Sequence, residues 1–290
     1  MKQDRLIAIA LAMVALTAVS GLALITVFIF KEGLPILFQV GLGEFLFSTQ
    51  WSPTEPPVHF GILAMIVGSL AVTVGAVIVG VALGLGCAIV LTQFCPRPVV
   101  SVLKPAIELL AGIPSVVYGF IGMAVLAPFI MRNLGGNGQS ILAASIVLGV
   151  MVLPTITSIS VDALQAVPRA YYEGSIALGA TKWQTTRMVM LKAARSGIVA
   201  AVILGMGRAI GETMAVIMVA GNTPQIPHGI LDPVRTLTAT IALEMGYAGT
   251  EGDHRKALFA TGVVLFVIIM VLNTIAMTFS RRQARRRAGR

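Results

Sequence analysis

The sequence has little charge and almost no cysteine. Asp, Glu, Lys and Arg make up only 11% of its 290 residues, whereas they make up about 25% of soluble domains. This shortage excludes an ordinary water-soluble domain. The two cysteines, Cys87 and Cys95, are too few for a disulfide framework and lack the spacing of a metal site. We expect both to be reduced and to pack as small apolar side chains.

Signatures of nucleotide and metal chemistry are also missing. The sequence contains no G-x-x-x-x-G-K-[ST] phosphate-binding loop. The segment 205–211 has the spacing G-x-G-x-x-x-G with no preceding strand, so we interpret Gly207 and Gly211 as small-residue helix contacts, like Gly80 and Gly84. The histidines stand apart from other potential ligands; they are His59, His228 and His254. The sequence therefore predicts no enzyme activity, no metal and no cofactor.

Long apolar runs are abundant instead. Hydrophobic residues make up 57% of the chain, and about 20 helical residues cross the hydrocarbon layer of a membrane. Runs of this length cover 6–30, 62–92, 106–131, 141–159, 199–220 and 258–280. They predict an all-α, polytopic membrane protein with six transmembrane helices. The first run is too long for the core of a signal peptide, so we expect an uncleaved anchor.

The third run contains residues that interrupt helices. Gly112, Pro114, Gly119 and Gly122 all lie within it. Such breaks are tolerated in a membrane where neighbouring helices satisfy the exposed backbone groups. We therefore predict that this span is kinked or broken near its start.

The distribution of basic residues predicts the orientation. Of the 21 Lys and Arg residues, 15 lie in segments on the side of the N-terminus, five lie opposite, and Arg208 lies inside a span. Because cytoplasmic loops are rich in Lys and Arg, both termini are predicted to be cytoplasmic. The tail 281–290 carries six arginines directly after a span. We expect it to bind anionic lipid headgroups rather than nucleic acid.

The predicted cytoplasmic segment 162–198 has the pattern of a helix, a tight turn and a second helix. Gly179 and Ala180 mark the turn, while Trp183 and Lys182 offer apolar and charged contact area. Loops between spans are usually short, and this one is long and rich in helix formers. It is therefore predicted to dock on another protein, with an ordinary connecting loop as the alternative.

This segment resembles the EAA loop of the permease subunits of ATP-binding-cassette importers. That loop has a Glu, a Gly six residues later and an apolar-x-Leu-Pro ending. The residues at these spacings are Glu173, Gly179, Val189 and Leu191. Gly174 and Ser175 stand where the family has alanines, and Lys192 stands where proline is usual.

In that family the loop inserts a short coupling helix into a nucleotide-binding subunit. The resemblance therefore implies that ATP is hydrolysed on a partner chain. The coupling residues that it implies are Glu173, Leu178, Gly179, Ala180, Thr181 and Lys182.

Three further strings resemble the phosphate-specific members of the family, of the PstC type. They are ELLAGIPSVVYGFIG at 108–122, GMGRAIGETMAVIMVAGN at 205–222 and TLTATIALEMGYA at 236–248. The GETMAV motif favours PstC over its sister subunit PstA, and the resemblance covers 59–280. It implies the type I importer permease fold, and ATP-driven movement of inorganic phosphate into the cytoplasm of a prokaryote.

The resemblance also implies partners and a division of the chain. The partners are a PstA-type sister permease, a cassette ATPase dimer and an extracytoplasmic phosphate-binding protein, all at the cytoplasmic (inner) membrane. Residues 1–58 would form an anchor span with an external loop, and 59–290 the permease core. The outer segment 221–257 would meet the binding protein and help to form a gate; a solvated connector is the alternative.

Arg208 and Glu212 lie near the centre of the fifth run. A charge at this depth costs at least about 2.5–3.5 kcal/mol, so it marks a functional hypothesis. Spacing of four places both residues on one helical face, where we predict that they pair. A guanidinium can donate two parallel hydrogen bonds to an oxyanion. Both are therefore candidates for the translocation pathway, with a purely structural ion pair as the alternative.

Two other functions fit the same residues. An importer of this architecture for another oxyanion, such as molybdate or sulfate, would use Arg208 equally well. A proton-coupled secondary transporter would use Glu212 as its proton site. Many such transporters contain inverted repeats, and we find none in this sequence. Phosphate is favoured over other oxyanions only by the family resemblance.

Overall fold

The computed structural model describes the backbone of residues 2–250 and 252–288, and the side chains of residues 7, 9–250, 252–275 and 277–278. The helices in chain order are α1 (Lys2–Val40), α2 (Leu42–Phe47), α3 (Leu63–Ile89), α4 (Arg97–Gly112), α5 (Ser115–Ile121), α6 (Ala127–Asn133), α7 (Ile141–Gln165), α8 (Arg169–Ala177), α9 (Lys182–Thr185), α10 (Leu191–Ala193), α11 (Arg195–Gly211), α12 (Met214–Val219), α13 (Leu237–Glu244) and α14 (Asp253–Ala288). The π-helical turns Val90–Phe94, Gly122–Leu126 and Thr186–Met190 extend α3, α5 and α9. The strands β1 (Trp51–Ser52) and β2 (His59–Phe60) form a small antiparallel hairpin.

The predicted all-α, polytopic class is confirmed. The described residues contain five helices that are long and apolar enough to cross a membrane, and six when one bent pair is counted as a span. The five are Ile9–Val40, Leu63–Phe94, Ser115–Asn133, Ile141–Gln165 and Asp253–Ile275. The bent pair consists of Lys182–Ala193 and Arg195–Gly211, which meet at 72°.

The third span begins later than predicted. Residues 106–112 belong to α4, and Ile113 then leaves the helix with an extended ψ of 128°. Pro114 disfavours helical geometry in the residue before it, and α5 begins at Ser115. The predicted break near the start of this span is therefore confirmed. The predicted beginning of the span at Ala106 is wrong.

Residues 63–240 and 267–290 form one compact unit. Its core surrounds α7, which is apolar on most sides and therefore buried along most of its length. The buried side chains of this core include Val72, Ala76, Leu148, Val152, Ile156, Ala209, Val216 and Val219. Because lipid is as apolar as these side chains, van der Waals packing rather than exclusion of water associates the helices.

Glycines bring the helices of this unit close together. A Cβ built at Gly80 would lie 2.5 Å from an α7 side chain, and one at Gly84 would lie 3.0 Å from another, so the predicted contact there is confirmed. On α11 the close contact is made by Gly205, where a Cβ would lie 2.8 Å from α7. Apart from chain neighbours and the backbone of its own helix, no described atom lies within 4 Å of a Cβ built at Gly207 or Gly211. The predicted helix contact at these two glycines is therefore wrong.

Residues 1–62 and 241–266 form the second compact unit. Within it, α1 packs on the beginning of α14, where the rings of Phe28 and Phe259 meet edge to face at 5.5 Å. A Cβ at Gly33 would lie 2.7 Å from the α14 backbone, so the helices approach closely. The proposed division between an anchor and a permease core stays a prediction.

A buried carboxylate connects three segments of this second unit. Glu244 is only 4% exposed. Its carboxylate accepts a hydrogen bond from Trp51 Nε1 at 2.9 Å and lies 2.8 Å from His254 Nε2. Such partners offset the cost of burying a charged group. The prediction that His254 is isolated is therefore wrong, because the fold returns it to a carboxylate ten residues away.

The helix α14 continues beyond the last span as far as Ala288. The side chains of the predicted arginine tail, 281–290, lie outside the described residues.

Cys87 and Cys95 are both half-buried free thiols.

Candidate functional site

The segment 162–198 forms a helix–turn–helix, as the sequence predicts. After α8 the chain turns at Gly179, whose φ of +83° is strained for residues that carry a Cβ. The second helix begins at Lys182 and continues through a π-helical turn to Ala193. We call this motif, from Arg169 to Ala193, the coupling loop.

Local hydrogen bonds fix the geometry of the coupling loop. Thr181 Oγ1 accepts a hydrogen bond from the N–H of Gln184 at 3.3 Å, and the N–H of Thr181 donates to Gln184 Oε1 at 2.8 Å. This reciprocal pair is a capping box. The hydroxyl groups of Ser175 and Thr185 lie 2.9 Å apart and join α8 to α9. The turn therefore has one defined shape.

The coupling loop exposes large apolar side chains. Leu178 is 90% exposed, Met188 60% and Trp183 55%. Apolar groups of this size on a rigid motif favour an interaction surface. The predicted coupling residues lie together on the motif: Glu173 in α8, Leu178, Gly179, Ala180 and Thr181 in the turn, and Lys182 at the start of α9.

A small apolar core lies beneath the coupling loop. Its buried residues come from the ends of α3 and α7, from the segment between α7 and α8, from the second helix of the loop and from Ala194, which directly follows that helix. They are Ala88, Leu91, Val161, Leu164, Val167, Met190 and Ala194. Because these residues are closely packed, a displacement of the loop is expected to move the ends of two spans.

Arg208 and Glu212 do not lie on one continuous helix. The helix α11 ends at Gly211, Glu212 has an extended ψ of 131°, and α12 begins at Met214. Among the residues that the structure describes, no ion pair joins Arg208 to Glu212. The prediction that they pair on one helical face is therefore wrong. The predicted span 199–220 is not one helix, because it is interrupted at Glu212, between α11 and α12.

The two charged side chains have different partners. Arg208 Nη1 donates to Thr155 Oγ1 on α7 at 3.4 Å. Glu212 Oε1 accepts from the N–H of Ala215 at 3.4 Å, one of the N–H groups that a helix start leaves without a helical partner. Both charged residues are half-buried. A cation and an anion therefore lie four positions apart in the chain, next to the break, without forming an ion pair with each other.

Hydroxyl groups satisfy the backbone at the break. Thr238 Oγ1 donates to the carbonyl of Glu212 at 3.1 Å, and Thr213 Oγ1 donates to that of Gly211 at 3.3 Å. Such partners are needed because no water is available in the hydrocarbon layer. The break is therefore a supported feature of the fold.

Sequence reasoning missed Thr155 and Thr238. Thr238 lies within 236–248, the string that carries part of the family resemblance, and this was the available signal. Thr155 follows Pro154 inside α7, and nothing in the sequence separates it from other threonines. In the part of the chain that the structure describes, no group of three or more His, Cys, Asp or Glu residues is placed to hold a metal.

Charged side chains kept at a break inside a bundle of apolar helices are expected in a transport protein rather than in a simple membrane anchor. The fold and this site together define a membrane permease. The chain belongs to the family described as "Binding-protein-dependent transport system inner membrane component", which matches residues 80–289. It is therefore a multi-pass inner-membrane component of a transport system and not an enzyme.

Several relatives are similar over most of the chain. A "Probable ABC transporter permease protein YqgH" of Bacillus subtilis is 44% identical, over 93% of this chain and 88% of its own length. A "Phosphate transport system permease protein PstC" of Mesorhizobium japonicum is 39% identical, over 80% of this chain and 76% of its own length. The PstC protein of Haemophilus influenzae is 34% identical, over 81% of each chain.

Solved structures of other importers share the fold. A chain of the MetNI methionine ABC transporter in an inward-facing conformation aligns with a TM-score of 0.60 and 20% identity, covering 79% of this chain and 99% of that one. A chain of a bacterial ABC transporter that imports the acidic polysaccharide alginate aligns with a TM-score of 0.61 and 14% identity, covering 93% and 95%. The predicted type I importer permease fold is confirmed.

Proposed function

We propose that this chain is the membrane-spanning permease subunit of an ATP-binding-cassette importer that moves inorganic phosphate into the cytoplasm. The observation that carries the proposal is half-buried Arg208 beside the broken span, in a chain similar to PstC phosphate permeases. A guanidinium suits phosphate because its planar fork donates two parallel hydrogen bonds and stays charged at physiological pH.

Arg208 is suited to bind an anion transiently. Its bond to Thr155 is long, at 3.4 Å, and therefore weak, so an oxyanion can replace the threonine at small cost. The nearby Glu212 limits the net positive charge at the break. Transport requires binding that is favourable on entry yet weak enough for release, and a carboxylate beside the arginine favours that release.

ATP is hydrolysed on partner subunits in this proposal. The coupling loop docks on a cassette ATPase through Glu173, the turn around Gly179, and Lys182, and the ATPase acts as a dimer. A PstA-type sister permease completes the pathway, since one chain contributes only half of it. An extracytoplasmic phosphate-binding protein delivers the anion to the outer segment 221–257.

The orientation of the termini belongs to the same proposal. Both termini and the coupling loop are cytoplasmic, because 15 of the 21 basic residues lie on that side. Thiol labelling of intact cells tests this. A cysteine introduced at Gly289, outside the described residues, should resist an impermeant reagent, whereas one at exposed Leu134 should react. Labelling at Gly289 from outside would reverse the topology.

Reconstitution tests the transport function. Proteoliposomes containing the permease pair, the ATPase and the binding protein should accumulate labelled phosphate only when ATP and the binding protein are both supplied. Excess molybdate or sulfate should not reduce this uptake. Competition by either anion would instead indicate an importer for another oxyanion, and uptake driven by a proton gradient without the ATPase would indicate a secondary transporter.

A further inference from the structure

A cavity of about 880 Å³ lies beside the coupling loop in the unit formed by residues 63–240 and 267–290. Its walls come from the π-helical end of α3, the start of α4, the end of α7 and the first turns of α8. Its polar lining includes Gln93, Arg97, Ser101, Arg169, Tyr172 and Glu173. The cavity is separate from the broken span, because neither Arg208 nor Glu212 lines it.

Two arginines give this cavity positive charge. Arg97 is the first residue of α4, and Arg169 is the first residue of α8. Each therefore lies at a helix start, where unpaired N–H groups add partial positive charge. Within the described part of the chain, neither guanidinium forms an ion pair or a hydrogen bond. Their donors therefore remain available to a ligand.

The rest of the lining suits a small tetrahedral anion. Glu173 is the single acidic residue among the lining residues, so the lining side chains carry one net positive charge. Tyr172 supplies a neutral hydroxyl donor, whereas the hydroxyl of Ser101 already donates to the carbonyl of Pro98 at 2.8 Å. A phosphate group matches this set, because guanidinium forks bind its oxygens in pairs, and the Tyr172 hydroxyl and the Gln93 amide can donate to the remaining ones.

We propose that this cavity binds a phosphate group between Arg97 and Arg169. The group comes either from inorganic phosphate or from the headgroup of an anionic lipid. Free phosphate is a source because the proposed transport releases it on the side of the coupling loop. This part of the inference therefore rests on the proposed function. A lipid is a source because the same α4 exposes Val102 and Leu109 by 68% and 75%, so its apolar side chains can lie in the membrane interface.

Occupancy of this cavity would act on the coupling loop. Arg169 and Glu173 both belong to α8, whereas Arg97 belongs to α4. An anion held by both arginines bridges α8 to α4 and restrains the loop that is proposed to dock on the ATPase. The site would therefore report either cytoplasmic phosphate or lipid composition to the machinery that drives transport.

Two binding experiments distinguish the sources. The permease complex is reconstituted in nanodiscs without the binding protein and with Arg208→Gln in place, so that the pathway contributes no binding. In the first experiment, phosphatidylcholine discs are dialysed against labelled inorganic phosphate. In the second, discs that contain phosphatidylglycerol are dissolved in mild detergent, and the lipids retained by the complex are quantified by mass spectrometry.

The double variant Arg97→Gln/Arg169→Gln should weaken binding at least about tenfold in one of the two experiments, because it removes charge-assisted hydrogen bonds. Arg195→Gln is the matched control, since Arg195 starts α11 but does not line the cavity; it should bind normally. If the double variant fails to assemble, the two single variants replace it, each with about threefold or greater weakening.

Absence of binding in both experiments, or binding that the arginine variants leave unchanged, would overturn the inference. ATP-driven phosphate uptake by the same preparation with Arg208 intact is measured separately. A complex that binds an anion through Arg97 and Arg169 but imports no phosphate would refute the proposed function and leave this site standing. Normal import with no such binding would refute this site and leave the proposed function standing.

Discussion

The coupling loop and the broken span follow one another in the chain, yet contacts of different range shape them. Around the turn of the loop, the hydrogen bonds of Ser175 and Thr181 join residues three to ten positions apart. At the break, Thr238 is 26 positions from Glu212, and Thr155 is 53 positions from Arg208. The turn of the loop is therefore locally encoded, although the loop packs on the ends of α3 and α7, whereas the break also depends on hydrogen bonds from distant helices.

This difference suits the two proposed roles. A turn held by its own hydrogen bonds keeps its shape while the loop and the spans packed against it move, which is useful for docking on an ATPase. A break held by α7 and α13 changes when those helices move, which is useful in a pathway that must open and close. Mutations that remove either a local contact of the loop or a distant contact of the break therefore test this difference.

The largest effect is expected from Arg208→Gln at the break. The variant keeps donors but loses the charge and the fork, and two charge-assisted hydrogen bonds to an anion correspond to about 100-fold in uptake. Assembly of the complex should remain normal. Uptake is measured in proteoliposomes, and copurification of the subunits controls for assembly.

The double variant Arg208→Gln/Glu212→Gln distinguishes transport from packing. If the two charges only stabilise the bundle, each through its own partner, each single variant should lower thermal stability together with uptake, and the two losses should add in the double variant. If Arg208 meets the anion, the double variant should stay inactive in uptake. Near-normal uptake by the double variant would refute the role of Arg208.

Gly179→Leu should uncouple the loop with little effect on the spans. A φ of +83° costs a residue with a Cβ about 1–2 kcal/mol, and the new side chain would occupy the proposed docking surface. ATP-dependent uptake should fall to background, whereas the strain should lower thermal stability only modestly and leave the complex assembled. Gly86→Leu is the control, because Gly86 is helical and a Cβ there has no neighbour within 4 Å. Normal uptake by Gly179→Leu would refute the proposal that the coupling loop docks on the ATPase.

The same contrast explains what sequence reasoning could predict. The pattern around Gly179 predicted a helix, a turn and a helix because the turn is determined by nearby residues. The pattern at 199–220 predicted one helix because it is mostly apolar over a spanning length, and it contains no proline that would indicate a break at Glu212. The break depends on Thr238, whose position beside Glu212 is a property of the whole fold.

The third span shows an intermediate case. Pro114 acts on the residue before it and so predicted a break correctly. The location of the span boundary was wrong because residues 106–112 are apolar enough to belong to a span but lie in α4. The spacing of Glu173 and Gly179 indicates a coupling role that stays a prediction, whereas the partner of Arg208 could not be predicted from the sequence.

Thr238→Val should weaken the break by a smaller amount. It leaves the carbonyl of Glu212 without its hydroxyl donor, which costs about 1–3 kcal/mol in a buried site. Thermal unfolding of the complex should register this loss, and uptake should fall less than in Arg208→Gln. Thr261→Val is the matched control, because buried Thr261 bonds only to a carbonyl of its own helix. Equal losses in both variants would show that the break has no special dependence on Thr238.

The smallest effect is expected from Gln184→Ala in the coupling loop. It removes one half of the capping box and should destabilise the start of α9 by about 0.5–1 kcal/mol, so amide hydrogen exchange at Thr185 and Thr186 should accelerate about two- to fivefold. Exposed Arg187→Ala, outside the box, should leave those rates unchanged. Because the turn of the loop is locally encoded, exchange in α11 and α12 should not respond to Gln184→Ala. Faster exchange there would show that the loop and the broken span share one set of stabilising contacts, and the comparison between them would fail.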